Sequence, residues 1–178
     1  MSEYFSLSRR GFLSQIVAFT SVLGLHGCGF QMRNAKEYAF KRLYIMTSNR
    51  QLALDITRNI SYGSRSTIVV DTPQNADARL EILSISETRK PLSLNAAVQT
   101  REYELRSTTE FQLVTPDGRP IIERSQITMS RNLPYSDSEA AARDTESILL
   151  YRDMMRATVD QIIRRLESVK VLPTLLGN

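Results

Sequence analysis

The feature that most constrains the fold is an alternating stretch that runs from residue 101 to residue 114. From Tyr103 to Leu113 its odd-numbered positions are apolar or small, whereas its even-numbered positions from Glu102 to Gln112 are charged or polar. A period of two places these two sets on opposite faces of a β-strand. Pro116-Asp117-Gly118 is typical of a tight turn, and residues 121–133 then alternate again. The sequence therefore predicts a β-hairpin over residues 101–133 with one face turned towards a core.

Shorter strands are predicted before this hairpin. Residues 40–47 form a compact apolar run and are predicted to be the first strand, whereas residues 67–70 are a short β-branched run that is not counted among the predicted strands. Residues 79–87 alternate, but the alternation slips by one residue, which indicates a β-bulge. Residues 90–97 contain Pro91 and are predicted to form a loop.

Two amphipathic helices are also predicted. The first begins at a capping box formed by Ser48 and Gln51. Its apolar face consists of Leu52, Ile56 and Ile60. The second begins at a capping box formed by Ser136 and Glu139 and ends near residue 168. Its apolar stripe consists of Ile148, Met155, Val159, Ile162, Leu166 and Val169.

The predicted element order is β-α-β-β-β-α, and the predicted fold class is α+β. Two helices packed on one face of a mostly antiparallel four-stranded sheet form a two-layer sandwich. We expect a single domain over residues 40–170, followed by a flexible C-terminal tail over residues 171–178. The other face of the sheet is then available to a partner or a ligand.

The N-terminal segment has the features of an export signal. Arg9 and Arg10 precede an apolar stretch over residues 12–25, and a small residue precedes Cys28. This stretch is shorter than the ~20 apolar residues that a membrane-spanning helix needs. Residues 1–27 are therefore predicted to be a signal peptide. The paired arginines leave two export routes open, the general route and the twin-arginine route.

Cys28 is the only cysteine of the chain, and its position resembles the lipobox of bacterial lipoproteins. The resemblance implies that the Cys28 thiol carries lipid and that residues 28–39 form a lipidated tether. The alternative is a chance cysteine near a cleavage site. Two acyl chains hold a protein on a membrane where one does not. Because Gly29 is not aspartate, the resemblance implies the outer membrane of a Gram-negative cell, at its periplasmic face.

The composition excludes several classes of chemistry. Signal removal and lipidation use the only histidine, His26, and the only cysteine, Cys28. The remaining domain cannot form a Ser-His or Cys-His nucleophile or a His/Cys metal site. The net charge of the chain is +4, and no basic run is interleaved with aromatic residues, so nucleic-acid binding is not expected. We expect no enzyme activity, no cofactor and no metal.

Several motifs, taken in chain order, resemble the LptE family of lipopolysaccharide-assembly lipoproteins. They are Cys28-Gly29-Phe30-Gln31-Met32-Arg33, Glu102-Tyr103 at the head of a strand, Arg131 with Tyr135, Ala141-Ala142-Arg143-Asp144 with Glu146, and Gln161-Ile162-Ile163-Arg164-Arg165-Leu166. Together they cover nearly the whole chain that follows the signal.

The resemblance implies a structural partner and a ligand. Family members plug a large outer-membrane β-barrel, LptD, help it to assemble, and contact lipopolysaccharide through basic residues. One such position falls on Arg143, and a second falls near Ala96, which is not basic. A neighbouring cation would then supply the second charge, and the candidates are Arg89, Lys90 and Arg101. A guanidinium suits lipid A phosphates because it donates two parallel hydrogen bonds.

Two alternatives remain open from the sequence. One is a free-standing outer-membrane lipoprotein that binds or shuttles lipid as an auxiliary transport subunit, which predicts a closed apolar pocket. The other is an enzyme that uses only carboxylates, which the scattered Asp and Glu residues do not favour.

Overall fold

The computed structural model describes residues 36–172. Its elements are β1 (Arg42–Met46), α1 (Arg50–Gly63), β2 (Ile68–Val70), β3 (Ala78–Leu94), β4 (Thr100–Val114), β5 (Pro120–Pro134) and α2 (Ala140–Ser168). The predicted signal peptide, the lipidation of Cys28 and residues 173–178 of the predicted tail lie outside the described residues. Neither of the helices within residues 36–172 is long and apolar enough to cross a membrane.

The strands form one sheet in the order β2-β1-β3-β4-β5. β1 pairs in parallel with β2 and with β3, whereas β3 with β4 and β4 with β5 are antiparallel. The predicted α+β class, with two helices on a mostly antiparallel sheet, is confirmed. The predicted count of four strands is wrong, because the β-branched residues Ile68, Val69 and Val70 pair with β1 as a fifth strand. Helix α1 forms the crossover connection that the parallel strands β1 and β2 require.

The core lies between the sheet and the helices. Its largest buried side chains include Phe40, Leu43, Leu52, Ile56, Ile60, Leu80, Phe111, Leu113, Ile162 and Leu166. The predicted apolar face of α1 is therefore confirmed. Burial of each of these side chains contributes about 1.5–3 kcal/mol to folding. A second and smaller buried cluster consists of Leu105, Leu133 and Met154.

Both helices begin differently from the prediction. Asn49 caps α1, and its side-chain oxygen accepts the main-chain N–H of Leu52 at 2.9 Å. The capping box of Ser48 and Gln51 is therefore wrong by one residue. No side-chain cap forms at α2, since a 3₁₀ turn over Asp137–Glu139 leads into the helix. This turn moves Ser136 away from the cap position, so the second predicted capping box is also wrong.

The inward face of α2 differs from the predicted stripe in its first half. Val159, Ile162 and Leu166 are buried as predicted, and Met155 and Val169 are partly buried. Ile148, however, is 59% exposed. Ser147 and Met154 take the inward positions instead. The spacing of apolar residues predicts that Ile148 faces inward. In the structure its smaller neighbour Ser147 is the buried residue.

The predicted hairpin and bulge are confirmed. β4 pairs with β5 from Glu102 opposite Pro134 to Val114 opposite Pro120. Gly118 takes φ +88° in the connecting turn, a conformation that glycine adopts without strain. The register of β3 against β4 shifts between Ile82 and Ser84, where the alternation of the sequence slips.

β3 is longer than the sequence predicts. It continues through Pro91 to Leu94, so the predicted loop over residues 90–97 is wrong for its first half. β1 stops at Met46, opposite Glu81, and the rest of β3 has no neighbouring strand on that side among the described residues. The register of β3 against β4 shifts again between Pro91 and Ser93, and proline is tolerated at such a bulge because it has no N–H to donate to the ladder.

The first described residues pack on the end of the domain where α1 and α2 terminate. The main-chain N–H of Lys36 donates to the Gly63 carbonyl at 2.7 Å, and the Lys36 ammonium pairs with Glu167. Tyr38 stacks on Phe40 at 5.4 Å between ring centres. Burial of the Tyr38 hydroxyl, with Glu167 nearby, raises its pKa to about 12. Residues 36–39, which fall in the predicted tether, therefore contact the domain.

Ile162→Asp should lower the free energy of unfolding by roughly 3–5 kcal/mol, because it places an unpaired charge in the core. Ile162 is fully buried, whereas Arg164, two residues further along α2, is exposed. Arg164→Ala is the matched control and should change stability by less than about 0.5 kcal/mol. Chemical denaturation measures both, and equal losses would mean that the assigned faces of α2 are wrong.

Candidate functional site

The four predicted ligand residues lie where the β3–β4 hairpin ends and α2 begins. We call this region the distal end and define it as residues 89–103 together with residues 131–146. Lys36 and the C-terminal end of α2 lie at the opposite end of the domain, since β3 starts and α2 stops there. The predicted site is therefore remote from the points where the chain enters and leaves the described domain.

Arg89 is held by two aromatic rings and a carboxylate. Its guanidinium carbon lies 4.0 Å from the centre of the Tyr103 ring and 5.3 Å from that of Tyr135. The two rings meet edge to face with centres 5.0 Å apart. Arg89 Nη1 also donates to Asp144 Oδ1 at 2.8 Å. Arg89 thus connects the hairpin to the first turns of α2, and Asp144 offsets part of its charge.

Arg143 follows the same pattern with two carboxylates. Its Nη2 lies 2.7 Å from Glu139 Oε2, and its Nη1 lies 2.7 Å from Glu146 Oε2. The hydrogen bond with Glu146, and then that with Glu139, raises the pKa of Arg143. The side chain is 30% exposed. An anion that reaches Arg143 must therefore share the guanidinium with two acids already bound to it.

Lys90 and Arg101 are exposed near the end of the hairpin. Lys90 stands opposite Glu104 in register, on the sheet face that turns away from the buried Leu105. The main-chain carbonyl of Arg101 accepts the N–H of Tyr135 at 2.8 Å. Among residues 36–172 neither cation forms an ion pair, unlike Arg89 and Arg143. The structure therefore pairs Arg89 and Arg143 with carboxylates on the helix side and leaves Lys90 and Arg101 without an ion pair among these residues, although Glu104 lies across the strand from Lys90.

The tip of the hairpin, residues 95–99, is ordered by hydrogen bonds between its own residues. The Asn95 side-chain oxygen accepts two N–H groups of the tip, each at 2.9 Å. Val98 adopts φ +62°, which is unusual for a β-branched residue. The exposed apolar side chains at and beside the tip are Leu92, Leu94 and Val98. The tip thus presents apolar surface close in sequence to Lys90 and Arg101.

Sequence reasoning does not reveal the residues that position Arg89. Tyr103 and Tyr135 stand out only as motif residues, and Asp144 only as a neighbour of Arg143. Their contact with Arg89 depends on the register that sets Arg89 opposite Leu105 in the sheet. The alternation of β4 gives one useful signal, because it assigns Tyr103 to the same inward face as Leu105.

The distal end combines cations with exposed apolar side chains. An amphipathic anion that carries acyl chains needs both features in its receptor. Several of the distal carboxylates are already paired with arginines. Within the described part of the chain, no group of three or more His, Cys, Asp or Glu side chains is arranged to hold a metal ion.

The comparisons with known proteins all identify the same family. The sequence model of the LptE family, described as lipopolysaccharide-assembly, matches residues 40–166. The LPS-assembly lipoprotein LptE of Pectobacterium atrosepticum is 28% identical over 159 residues, which cover 85% of each chain. The LPS-assembly lipoprotein LptE of Photorhabdus laumondii is 25% identical over 153 residues, which cover 84% of this chain and 82% of the relative.

A solved structure has the same fold. The solution NMR structure of an uncharacterized lipoprotein B from Nitrosomonas europaea is similar with a TM-score of 0.67 and 28% sequence identity, over 79% of this chain and 91% of that chain. The family match extends from the start of the core at Phe40 to the last buried residue of α2, Leu166. The chain therefore belongs to the LptE family, and its role lies in lipopolysaccharide assembly.

Proposed function

We propose that this protein is an outer-membrane lipoprotein, anchored at the periplasmic face by lipid on Cys28, that acts as a non-catalytic partner of an LptD-type β-barrel. It plugs this barrel, helps it to assemble and contacts lipopolysaccharide during delivery to the cell surface. One observation supports the proposal beyond family membership: the face of the sheet that the helices leave uncovered is predominantly polar along the β4–β5 hairpin.

We call this surface the open face. Its side chains on β4 and β5 are Glu102, Glu104, Arg106, Thr108, Glu110, Gln112, Arg124, Gln126, Thr128, Ser130 and Asn132. Charges on the open face are partly paired, as between Arg106 and Glu104 at 2.9 Å. The hydrogen bond from Arg124 lowers the pKa of Glu110, so that this carboxylate stays charged.

A polar sheet face suits the inside of an outer-membrane barrel. The lumen of such barrels is polar, whereas their outer surface is an apolar band about 25 Å tall. The open face can meet lumen residues and bridging waters without the desolvation cost that lipid would impose. Helix α2 has 29 residues and is therefore about 44 Å long. A domain of this length can fill the lumen across the whole apolar band.

Contact with lipopolysaccharide is assigned to the distal end. Lys90 and Arg101 offer phosphate groups two exposed cations that form no ion pair among the described residues, and Leu92, Leu94 and Val98 offer apolar surface close by. Arg89 and Arg143 add charge on the helix side, although each is shared with carboxylates. We therefore expect all four cations to contribute, through electrostatic attraction that salt weakens.

The free-standing lipid carrier is less well supported. A carrier needs an enclosed apolar cavity for acyl chains. The two clefts that border α1 and β3 are open and lined mainly by polar residues, such as Thr47, Ser48 and Asn49 in one and Gln51 and Asp55 in the other.

Purification from detergent-solubilised outer membranes tests the partnership directly. The full lipidated chain should bring down one large β-barrel protein in equal amount. Recovery of the chain alone, from membranes in which the barrel protein is present, would favour the free-standing carrier.

Cys28→Ala should abolish incorporation of labelled palmitate, because Cys28 is the only thiol of the chain. The variant should also be released from the membrane fraction, since no other acyl chain would hold it. Fractionation with radiolabelled palmitate measures both effects. Labelling of the variant would show that the lipid is attached to another residue and that Cys28 is not the lipidated position.

Arg143→Glu should weaken binding to lipopolysaccharide by about 1–3 kcal/mol, with a smaller loss at high salt. The double change Lys90→Glu with Arg101→Glu should weaken binding at least as much, because neither cation forms an ion pair among the described residues. Binding to lipopolysaccharide aggregates measures the losses, with circular dichroism as the fold control.

Arg164→Glu provides the matched control for these variants. It makes the same change of charge at an exposed position near the other end of α2. Binding should then be unaffected. If Arg164→Glu reduces binding as much as Arg143→Glu, the attraction depends on total charge and the distal end is not the site.

A further inference from the structure

The β1 side of β3 carries an unpaired strand edge that begins where β1 stops. The last register pair between these strands is Met46 with Glu81. β3 then continues to Leu94 and is paired on its other side with β4. Beyond Glu81, no described strand lies on the β1 side. We call residues 82–88 the open edge. At about 3.3 Å per residue, it is roughly 23 Å long.

A groove runs beside the open edge. One part of the groove is a cleft of about 420 Å³ between residues 47–49, which connect β1 to α1, and residues 82–87 of β3. The other part is a cleft of about 590 Å³ between α1 and α2, which Tyr151 and Met155 also line. Asn49 and Glu87 border both clefts, so the two lie side by side.

The main chain of the open edge is available to a partner. In an antiparallel pair every second residue directs its N–H and C=O away from the neighbouring strand. The Thr88 carbonyl accepts a hydrogen bond from the Tyr151 hydroxyl at 2.9 Å, outside the β3–β4 ladder. By alternation, Ser86 turns its main chain to the same side. Tyr151 thus marks one limit of the open edge, at Thr88, and the end of β1 at Met46 marks the other.

We propose that the open edge receives an extended segment of the barrel protein, which adds a strand to the sheet beside β3. The inference rests on the proposed function, since it names how the barrel contacts this domain. A row of unpaired N–H and C=O groups is complementary to another extended chain and to little else. The occupant is therefore a strand of about five to seven residues, the number that a 23 Å edge accommodates.

The side chains beside the edge define the chemistry of this strand. On the helix side the guest meets Ile85, Tyr151 and Met155, which favour apolar side chains. On the open-face side it lies beside Ser84 and Ser86, which are exposed and polar. A segment in which apolar and polar residues alternate fits both sides. The rim of the groove carries charges of both signs, which are Asp55, Arg58, Glu87, Arg152 and Arg156.

A photo-crosslinking amino acid at Ser84 or Ser86 of the full lipidated chain tests the inference in cells. If a strand pairs with β3, the two positions should crosslink to a single segment of the barrel, at residues two apart, because paired strands keep a fixed register. Crosslinks scattered over separate segments, or no crosslink in a complex that still forms, would overturn the strand addition. The proposed role as a barrel plug would then still stand. A crosslinked dimer of this chain would overturn it in favour of self-pairing.

Ser86→Pro and Ser86→Ala form a matched pair for the same complex. Proline removes the outward N–H, and barrel recovery should fall about tenfold, the effect of one or two main-chain hydrogen bonds. Alanine keeps the N–H and should leave recovery unchanged. Equal recovery with both variants would overturn the inference, and the crosslinks decide if the proline variant does not fold. Failure of the unaltered chain to bring down any barrel would instead refute the proposed function itself.

Discussion

The antiparallel pairing of β3 with β4 is the interaction on which the rest of the structure depends. It runs from Arg79 opposite Val114 to Leu94 opposite Thr100. Its register places Arg89 opposite Leu105 on the helix side and Lys90 opposite Glu104 on the open face. Because side chains alternate, a slip of one residue would exchange these two cations and turn the apolar set towards solvent. The same pairing extends β3 beyond β1 and so creates the open edge.

The charges of the distal end differ according to the face on which they lie. On the helix side, Arg89 stacks on Tyr103 and pairs with Asp144, and Arg143 is bound by two glutamates. The contact of Arg89 with Asp144 joins the start of α2 to the hairpin, whereas the two ion pairs of Arg143 lie within the start of α2 itself. Lys90 and Arg101 form no ion pair among residues 36–172 and are therefore more accessible to a ligand. The domain thus uses some of its cations for its own packing and leaves others for recognition.

Much of the fold is predictable because strong periodicity reports burial directly. The alternation of residues 101–133 predicts the β4–β5 hairpin, and the slip in the alternation of residues 79–87 predicts the bulge. Other features depend on tertiary contacts that no local pattern encodes. The three residues of β2 form a strand because β1 lies beside them. Pro91 lies in β3 next to a second register shift against β4. Ile148 is exposed, and its smaller neighbour Ser147 is buried. The ion pair of Arg89 with Asp144 depends on the packing of α2 on the hairpin, whereas the pairs of Arg143 with Glu139 and Glu146 follow from helical spacings of four and three residues.

The claim that the open face lies inside a barrel can be measured with a single engineered thiol. Thr128 is exposed near the middle of the open face, and the natural cysteine, Cys28, is predicted to be blocked by lipid. The rate at which a bulky thiol reagent modifies Thr128→Cys should be compared between the barrel complex and the chain purified away from it. We expect the cysteine to react at least about tenfold more slowly in the complex, because the lumen shields it. Equal rates in a complex that still contains the barrel would show that the open face does not lie inside the barrel.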